Sequence, residues 1–261
     1  MVNYKRIVIK IGTTSLTYPT GKLNLARIDE LAFVISDICN RGLSVILVTS
    51  GAIGVGADHL GIERPRDIVG KQAASSVGQA ILMQIYQQAF IKYNRRVAQI
   101  LLTKDIIDME RRKTNAKNAI EYLLQQGVVP IVNTNDTVTT DELDEISDND
   151  RLASYVAVLT NSDLLVLFSD IDGLYTENPK NNPSAKIINR VTEINQAIKE
   201  KAGGAGSNLG TGGMETKIEA AQLIMQNNID MIIALGENPR LLYKILNGEE
   251  VGTLFTKRSD D

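Results

Sequence analysis

Tyr4-Lys5-Arg6-Ile7-Val8-Ile9-Lys10-Ile11-Gly12 contains a run of β-branched residues, Ile7 to Ile11, interrupted by one lysine and stopped by a glycine. An apolar run of this length and composition predicts a strand buried on both faces, as in a parallel sheet. Lys10 is out of place in it, because an ammonium buried without a partner is costly. A bland reading makes Lys10 an edge-strand residue whose head snorkels to water. A functional reading notes that Gly12-Thr13-Thr14-Ser15 follows at once and offers hydroxyl and backbone donors beside the ammonium. That adjacency favours the second reading.

Working outward, Leu25, Ile28, Leu31, Ile35 and Ile38 recur at helical spacing, with Asn24 as N-cap and Gly42 as the stop. Strands are predicted over 44–49, 97–102, 128–132, 164–168, 230–235 and 251–255, and helices over 71–90, 113–126, 152–159, 192–199, 214–227 and 239–246. Residues 170–189, with Pro179 and Pro183, read as a hairpin or long loop. Strands alternating with helices imply an α/β fold with a mostly parallel central sheet covered on both faces. No low-complexity linker and no internal repeat divides the chain. One domain over 1–261 is therefore expected, with an N-terminal lobe over about 1–160 and a C-terminal lobe over about 161–261.

The bulk composition excludes several classes. Lys plus Arg total 28 against 31 Asp plus Glu, so the net charge of −3 gives no drive toward nucleic acid or an anionic membrane. Cys39 is the sole cysteine, so no internal disulfide is possible, and its neighbours Ile35 and Ile38 suggest a small buried residue. The apolar run at the N-terminus is too short for a signal peptide, and no stretch approaches a membrane span. A cytoplasmic protein is expected.

In open α/β sheets ligands bind beyond the carboxyl ends of the strands. Four such ends draw attention: Lys10-Ile11-Gly12-Thr13, Thr49-Ser50-Gly51, Asn133-Thr134-Asn135-Asp136 and Ser169-Asp170. A fifth feature is the run from Gly203 to Gly213, with six glycines in eleven residues, after which a helix opens with Met214-Glu215-Thr216-Lys217. Glycines let backbone N–H groups approach an anion, and a helix start adds its positive end. Lys217 in the first turn is placed to reach a phosphate, and this coincidence outweighs the alternative of a flexible surface loop. The run is not a P-loop, because Lys217 follows Thr216 rather than a glycine. Gly54-Val55-Gly56 is not a dinucleotide fingerprint, because His59 stands where the third glycine is required.

Ser50 lacks the glycine frame of a hydrolase elbow, with Val48 two residues before it, and suits the binding of a substrate carboxylate better. His59, the only histidine, reads as a surface residue and not as a metal ligand. The acidic stretch 141–145 reads as a solvated loop. Asp136 and the trio Asp148-Asn149-Asp150 differ, because they flank predicted elements; a carboxylate there suits a substrate ammonium, a pair of lysines, or a magnesium ion held through water. Two lysines, a glycine-rich loop and a carboxylate form a coherent set for phosphoryl transfer, where catalysis is largely positioning and charge stabilisation. An acceptor carboxylate is already ionised at neutral pH, so no general base is needed.

These segments together resemble the amino acid kinase family. The resemblance rests on VIKIGTTSL at 8–16, VTSGAIGVG at 48–56, KQAASSVGQ at 71–79, PIVNTNDTV at 130–138, DNDRLA at 148–153, SDIDGLYTENP at 169–179, GTGGMETK at 210–217 and VGTLF at 251–255. It implies a three-layer α/β/α sandwich. It also implies ATP-dependent phosphorylation of the γ-carboxylate of L-glutamate to γ-glutamyl phosphate, the first step of proline biosynthesis. Lys10 and Lys217 would then stabilise the transferring phosphoryl group, with Asp150 holding both lysines. Ser50, Gly51, Asn133, Asp136 and Asn149 would bind glutamate, with Asp136 on its α-ammonium. Gly12, Thr13, Ser169, Asp170 and Thr211, Gly212, Gly213, Met214, Glu215, Thr216 and Lys217 would bind ATP, with Mg²⁺ riding on the phosphates.

The resemblance further implies a homo-oligomer, dimer or tetramer, and contact with the next enzyme of the proline pathway. Many members carry a C-terminal PUA domain, which is expected to be absent because the chain stops just after VGTLF. Ser169 stands where threonine is common. Two rival readings stay open: another kinase of the same fold acting on acetylglutamate, aspartate, carbamate or UMP, and a nucleotide-binding sensor without turnover.

Overall fold

The predicted first strand lies in the middle of the molecule. In a computed structural model that describes residues 4–103, 109–138, 149–179, 181–202 and 213–258, β1 (Arg6–Ile11) is flanked by parallel β2 (Ser44–Val48) and β5 (Leu164–Ser169). The other strands are β3 (Val97–Leu102), β4 (Val129–Thr134), β6 (Arg190–Val191), β7 (Asp230–Leu235) and β8 (Thr253–Phe255). They form one eight-stranded sheet in the order β3-β4-β2-β1-β5-β7-β8-β6, parallel except for the β7–β8 pair. With β1 paired on both sides, Lys10 is no edge-strand residue, and the snorkelling reading fails.

Alternate residues of β1 enter different cores, which gives three layers. Ile7, Ile9 and Ile11 pack with Ile28, Leu31 and Ile35 of the helix Leu25–Asn40 and with Leu82, Tyr86 and Phe90 of the helix Ile68–Ile91. Val8 faces the opposite side, among Ile120 of the helix Glu110–Gln125, Val156 of the helix Asn149–Leu159 and Ile224 of the helix Met214–Gln226. The fold is therefore an α/β/α sandwich. Among the described residues no helix is long and apolar enough to cross a membrane.

Local chemistry explains most boundaries. The Asn24 side chain accepts from the Arg27 amide and starts the helix Leu25–Asn40. Leu25 itself remains exposed, so the buried stripe begins at Ile28. Gly42 and Gly127, with φ of +94° and +67°, turn the chain out of two helices. Cys39 is free and only half-buried, and burial pushes its thiol up to about 11. His59 is exposed.

The element assignments differ from expectation in places. The helix Ala52–Leu60 is not predicted, because its two glycines weaken intrinsic helix propensity. Gly56 is there for contact: a Cβ on it would lie 1.7 Å from the Ala74 carbonyl oxygen, and across the crossing a Cβ on Gly78 of the helix Ile68–Ile91 would lie 1.8 Å from the Ala52 carbonyl oxygen. The expected helix over 192–199 begins later, at Gln196–Ala202, because Arg190 and Val191 pair with Leu254 and Phe255. In 170–189, read as a hairpin or long loop, an antiparallel bridge between Tyr175 and Ile187 favours the hairpin.

Candidate active site

Lys10 occupies the penultimate position of β1 and is 8% exposed. Its ammonium lies 2.6 Å from Asp150 Oδ1. Asp150 sits in the first turn of the helix Asn149–Leu159 and is wholly buried. The Lys217 ammonium donates to the other oxygen, Asp150 Oδ2, at 2.9 Å. Burial alone would push the Asp150 carboxyl up. The charges of Lys10 and Lys217 outweigh it and hold the group below the usual carboxylate range. Lys217 is itself only 3% exposed. It is thus more enclosed than a first-turn lysine facing an open cleft, because the helix Met214–Gln226 lies along the helix Asn149–Leu159 and turns the ammonium inward.

Small residues stand against this centre. A Cβ at Gly12 would come within 3.6 Å of the Lys10 ammonium and 3.9 Å of the Phe168 carbonyl oxygen. The helix starts at Thr13–Leu16, Ala52–Leu60 and Met214–Gln226 are preceded by Gly12, Gly51 and Gly213, and none has a side-chain cap bond. Helix starts of this kind present N–H groups that suit an anion. Gly51 adopts φ +99°, which only glycine takes without strain, and its Cα faces Thr13.

On the nucleotide side of the expectation, Ser169 ends β5 one residue past the pairing of Ile11 with Phe168, next to Gly12. Its hydroxyl donates to Asp170 Oδ1 at 3.0 Å, and Asp170 is exposed. Thr216 donates to the Gly213 carbonyl at 2.9 Å, Met214 is half-buried and Glu215 faces solvent. Thr211, Gly212, the rest of the glycine-rich run over 203–210 and the acidic segment 139–148 lie outside the described residues.

A second group converges from β2, β4 and the helix Asn149–Leu159. Thr13 donates to the Ser50 hydroxyl at 3.1 Å, and Ser50 donates to the Ile11 carbonyl at 3.2 Å. Asn149 Nδ2 donates to the Thr49 carbonyl at 2.9 Å and contacts Asn133 Oδ1 at 3.4 Å. Asp136 accepts from the Ser75 hydroxyl at 2.8 Å. Its carboxyl is raised above the usual range by burial, an effect that the Ser75 bond partly offsets.

Beyond spacing, nothing in the sequence of residues 71–79 marks a site residue, yet Ser75 and Gln79 of the helix Ile68–Ile91 bond to Asp136 and Asn133. The available signal was their spacing: two polar residues four apart on one face of a helix that is otherwise apolar there. Thr49, also unassigned, shares a 2.7 Å hydrogen bond with the buried Tyr86 hydroxyl.

One carboxylate holding two ammonium groups at the carboxyl ends of a parallel sheet, ringed by uncapped helix starts, defines an α/β protein that handles a polyanion. The chain belongs to the amino acid kinase family, whose model matches residues 5–235. A relative from Clostridium perfringens (strain 13 / Type A), named glutamate 5-kinase, is 51% identical over 98% of this chain and 97% of its own length. A glutamate 5-kinase from Lactococcus lactis subsp. lactis (strain IL1403) is 49% identical, over 99% and 97%. Among solved structures, UMP kinase from Bacillus anthracis superposes with a TM-score of 0.68 at 20% identity, covering 98% of this chain and 97% of that one. Isopentenyl phosphate kinase from T. acidophilum superposes at 0.63 and 17%, covering 96% and 99%. At these identities the structural likeness shows the fold.

Proposed function

We propose that this chain transfers the γ-phosphoryl group of ATP to the γ-carboxylate of L-glutamate, giving γ-glutamyl phosphate and ADP, the first step of proline biosynthesis. The observation that carries the reading is the Lys10–Asp150–Lys217 centre. Likeness at about half identity to proteins named glutamate 5-kinase narrows the acceptor.

In this reading a γ-carboxylate oxygen of glutamate attacks the γ-phosphorus, and the bond from that phosphorus to the β,γ-bridging oxygen breaks. The electron pair leaves with ADP, and no proton moves. Lys10 and Lys217 stabilise charge on the transferring group, and Asp150 fixes where their ammonium groups point. Gly12 and the amides that open the helix Met214–Gln226 cradle the phosphates. Ser50 and Asn149 orient the substrate carboxylates, and Asp136 pairs with the α-ammonium. Ser169 and Asp170 flank the nucleotide.

Among the described residues no cluster of three His, Cys, Asp or Glu side chains stands ready for a metal, and Asp150 is engaged by two cations. That donor set fits Mg²⁺ carried on the phosphate oxygens of ATP, where it neutralises their charge when bound. The test is ADP release with ATP, Mg²⁺ and a panel of acids, with hydroxylamine trapping of the acyl phosphate. Trapped product with glutamate supports the reading; product with acetylglutamate but none with glutamate overturns it.

A further inference from the structure

The helix Ile68–Ile91 crosses the sheet with a buried polar patch that the proposed reaction has not used. Ser75 and Gln79 are four residues apart, so they lie on one face, and both are buried, at 3% and 7% exposure. Buried polar side chains in a packed helix are retained only where partners satisfy them, and here the partners belong to the acceptor site. The Ser75 hydroxyl donates to Asp136 Oδ2 at 2.8 Å. Gln79 Oε1 accepts from Asn133 Nδ2 at 3.0 Å, while Gln79 Nε2 donates to Gln99 Oε1 at 3.0 Å.

The second contact fixes which way the Asn133 amide points. With Nδ2 committed to Gln79, Asn133 Oδ1 is turned toward the Thr134 amide at 2.9 Å and toward Asn149 Nδ2 at 3.4 Å. An ordered set of amides thus runs from Gln99 through Gln79 and Asn133 to Asn149, the residue beside Asp150. Beside Ser75, the Ser76 hydroxyl meets Thr137 Oγ1 at 3.0 Å, so consecutive residues of the helix hold consecutive residues after β4. The helix itself is fixed against the helix Ala52–Leu60 by the contacts of Gly56 and Gly78.

We infer that Ser75 and Gln79 are positioning residues of the acceptor site, Ser75 aiming the Asp136 carboxylate at the ammonium group of an amino-acid acceptor and Gln79 setting the Asn133–Asn149 amide pair beside it. The inference rests on the proposed acceptor and goes beyond it, because that reading gives neither residue a role. Their hydrogen-bond partners are Asp136, Asn133 and Gln99 and not Lys10 or Lys217, so their loss falls on acceptor binding and spares nucleotide binding.

The experiment is steady-state kinetics of the full chain with glutamate varied at saturating ATP and ATP varied at saturating glutamate, for wild type, Ser75→Ala, Ser75→Thr and Gln79→Leu, each checked for folding by its urea midpoint. A hydrogen bond to a charged group is lost in Ser75→Ala, so the KM for glutamate rises about tenfold. The KM for ATP stays within about twofold, and kcat falls less than about threefold. Gln79→Leu shows the same split, and Ser75→Thr, which keeps the hydroxyl, recovers most of the glutamate affinity relative to Ser75→Ala. A folded Ser75→Ala with wild-type KM for glutamate overturns the inference, as does a parallel rise in both KM values. Wild type that releases no ADP with glutamate overturns the functional reading itself and the inference with it, and this control tells the two failures apart.

Discussion

Lys10 and Lys217, one from the first strand and one from the last third of the chain, bind opposite oxygens of the same buried carboxylate, Asp150, at 2.6 Å and 2.9 Å. Each lysine is held by a group that is itself held by the other, so the three positions behave as one unit. Non-additive effects are the rule for such a unit.

Lys217→Met keeps the side-chain volume and removes the charge. Loss of one preorganised charge at a developing oxyanion costs about 100- to 1,000-fold in turnover. Because Lys217 is buried, stability falls too, by less than the roughly 3–5 kcal/mol for breaking a buried pair, since Asp150 keeps Lys10. ADP-release kinetics and urea unfolding measure the two effects. In a Lys10→Met, Lys217→Met double variant the losses in turnover fall short of their product.

The pH dependence of stability follows from the Asp150 carboxyl, which lies below its unfolded value of 3.8 because the two lysine charges outweigh burial. A depressed carboxylate contributes stability that is fully present above the unfolded pKa and is lost as pH falls through the folded one. The urea midpoint therefore holds above about pH 5 and declines progressively below about pH 4. In Asp150→Asn the midpoint is lower at neutral pH and the acid decline is shallower.

Asp136 has the opposite sign. Burial raises its carboxyl, so the ionised form weighs against the folded state. Asp136→Asn consequently leaves the urea midpoint at neutral pH unchanged or slightly higher, while the KM for glutamate rises about 10- to 100-fold through loss of a charged partner. In wild type, the KM for glutamate climbs on acidification as Asp136 gains its proton, and this climb is absent from Asp136→Asn. Kinetics from pH 5 to 8 check it.

Gly56→Ala tests the crossing of the helices Ala52–Leu60 and Ile68–Ile91. Alanine gains about 1 kcal/mol in helix propensity. Its Cβ would stand 1.7 Å from the Ala74 carbonyl oxygen, a backbone atom that cannot rotate away. Overpacking of this kind costs about 1–3 kcal/mol or more, so the variant is less stable despite the better helix former. The urea midpoint reads the sign directly.

Much of the architecture was legible because β-branched runs and glycine stops are local signals. The strands Val97–Leu102 and Asp230–Leu235 fall where their composition puts them. What stayed hidden depends on distant partners. The helix Ala52–Leu60 has poor propensity and exists because Ala74 and Gly78 receive it. The two-residue strand Arg190–Val191 has no pattern of its own and is defined by its pairing with Leu254 and Phe255. At the site, Lys10, Asp150 and Lys217 stood out as charges in unusual company, whereas Ser75 and Gln79 are ordinary helix residues whose meaning comes from Asp136 and Asn133 across a layer of packing. The enclosure of Lys217 was hidden for the same reason, since the turn of one helix against another is not written in either.

The central place of β1 has a consequence for synthesis on the ribosome. Its first neighbour, β2, emerges soon after it, but Ile7 must wait for Leu164 on its other side. At about 5–20 residues per second, that wait lasts roughly ten to thirty seconds. Through it the nascent chain carries one open strand edge of Ile and Val, the kind of template that invites mispairing. Lys10, one residue from the end of that strand, is a charge of the kind that lowers the aggregation tendency of an apolar strand until Asp150 is made.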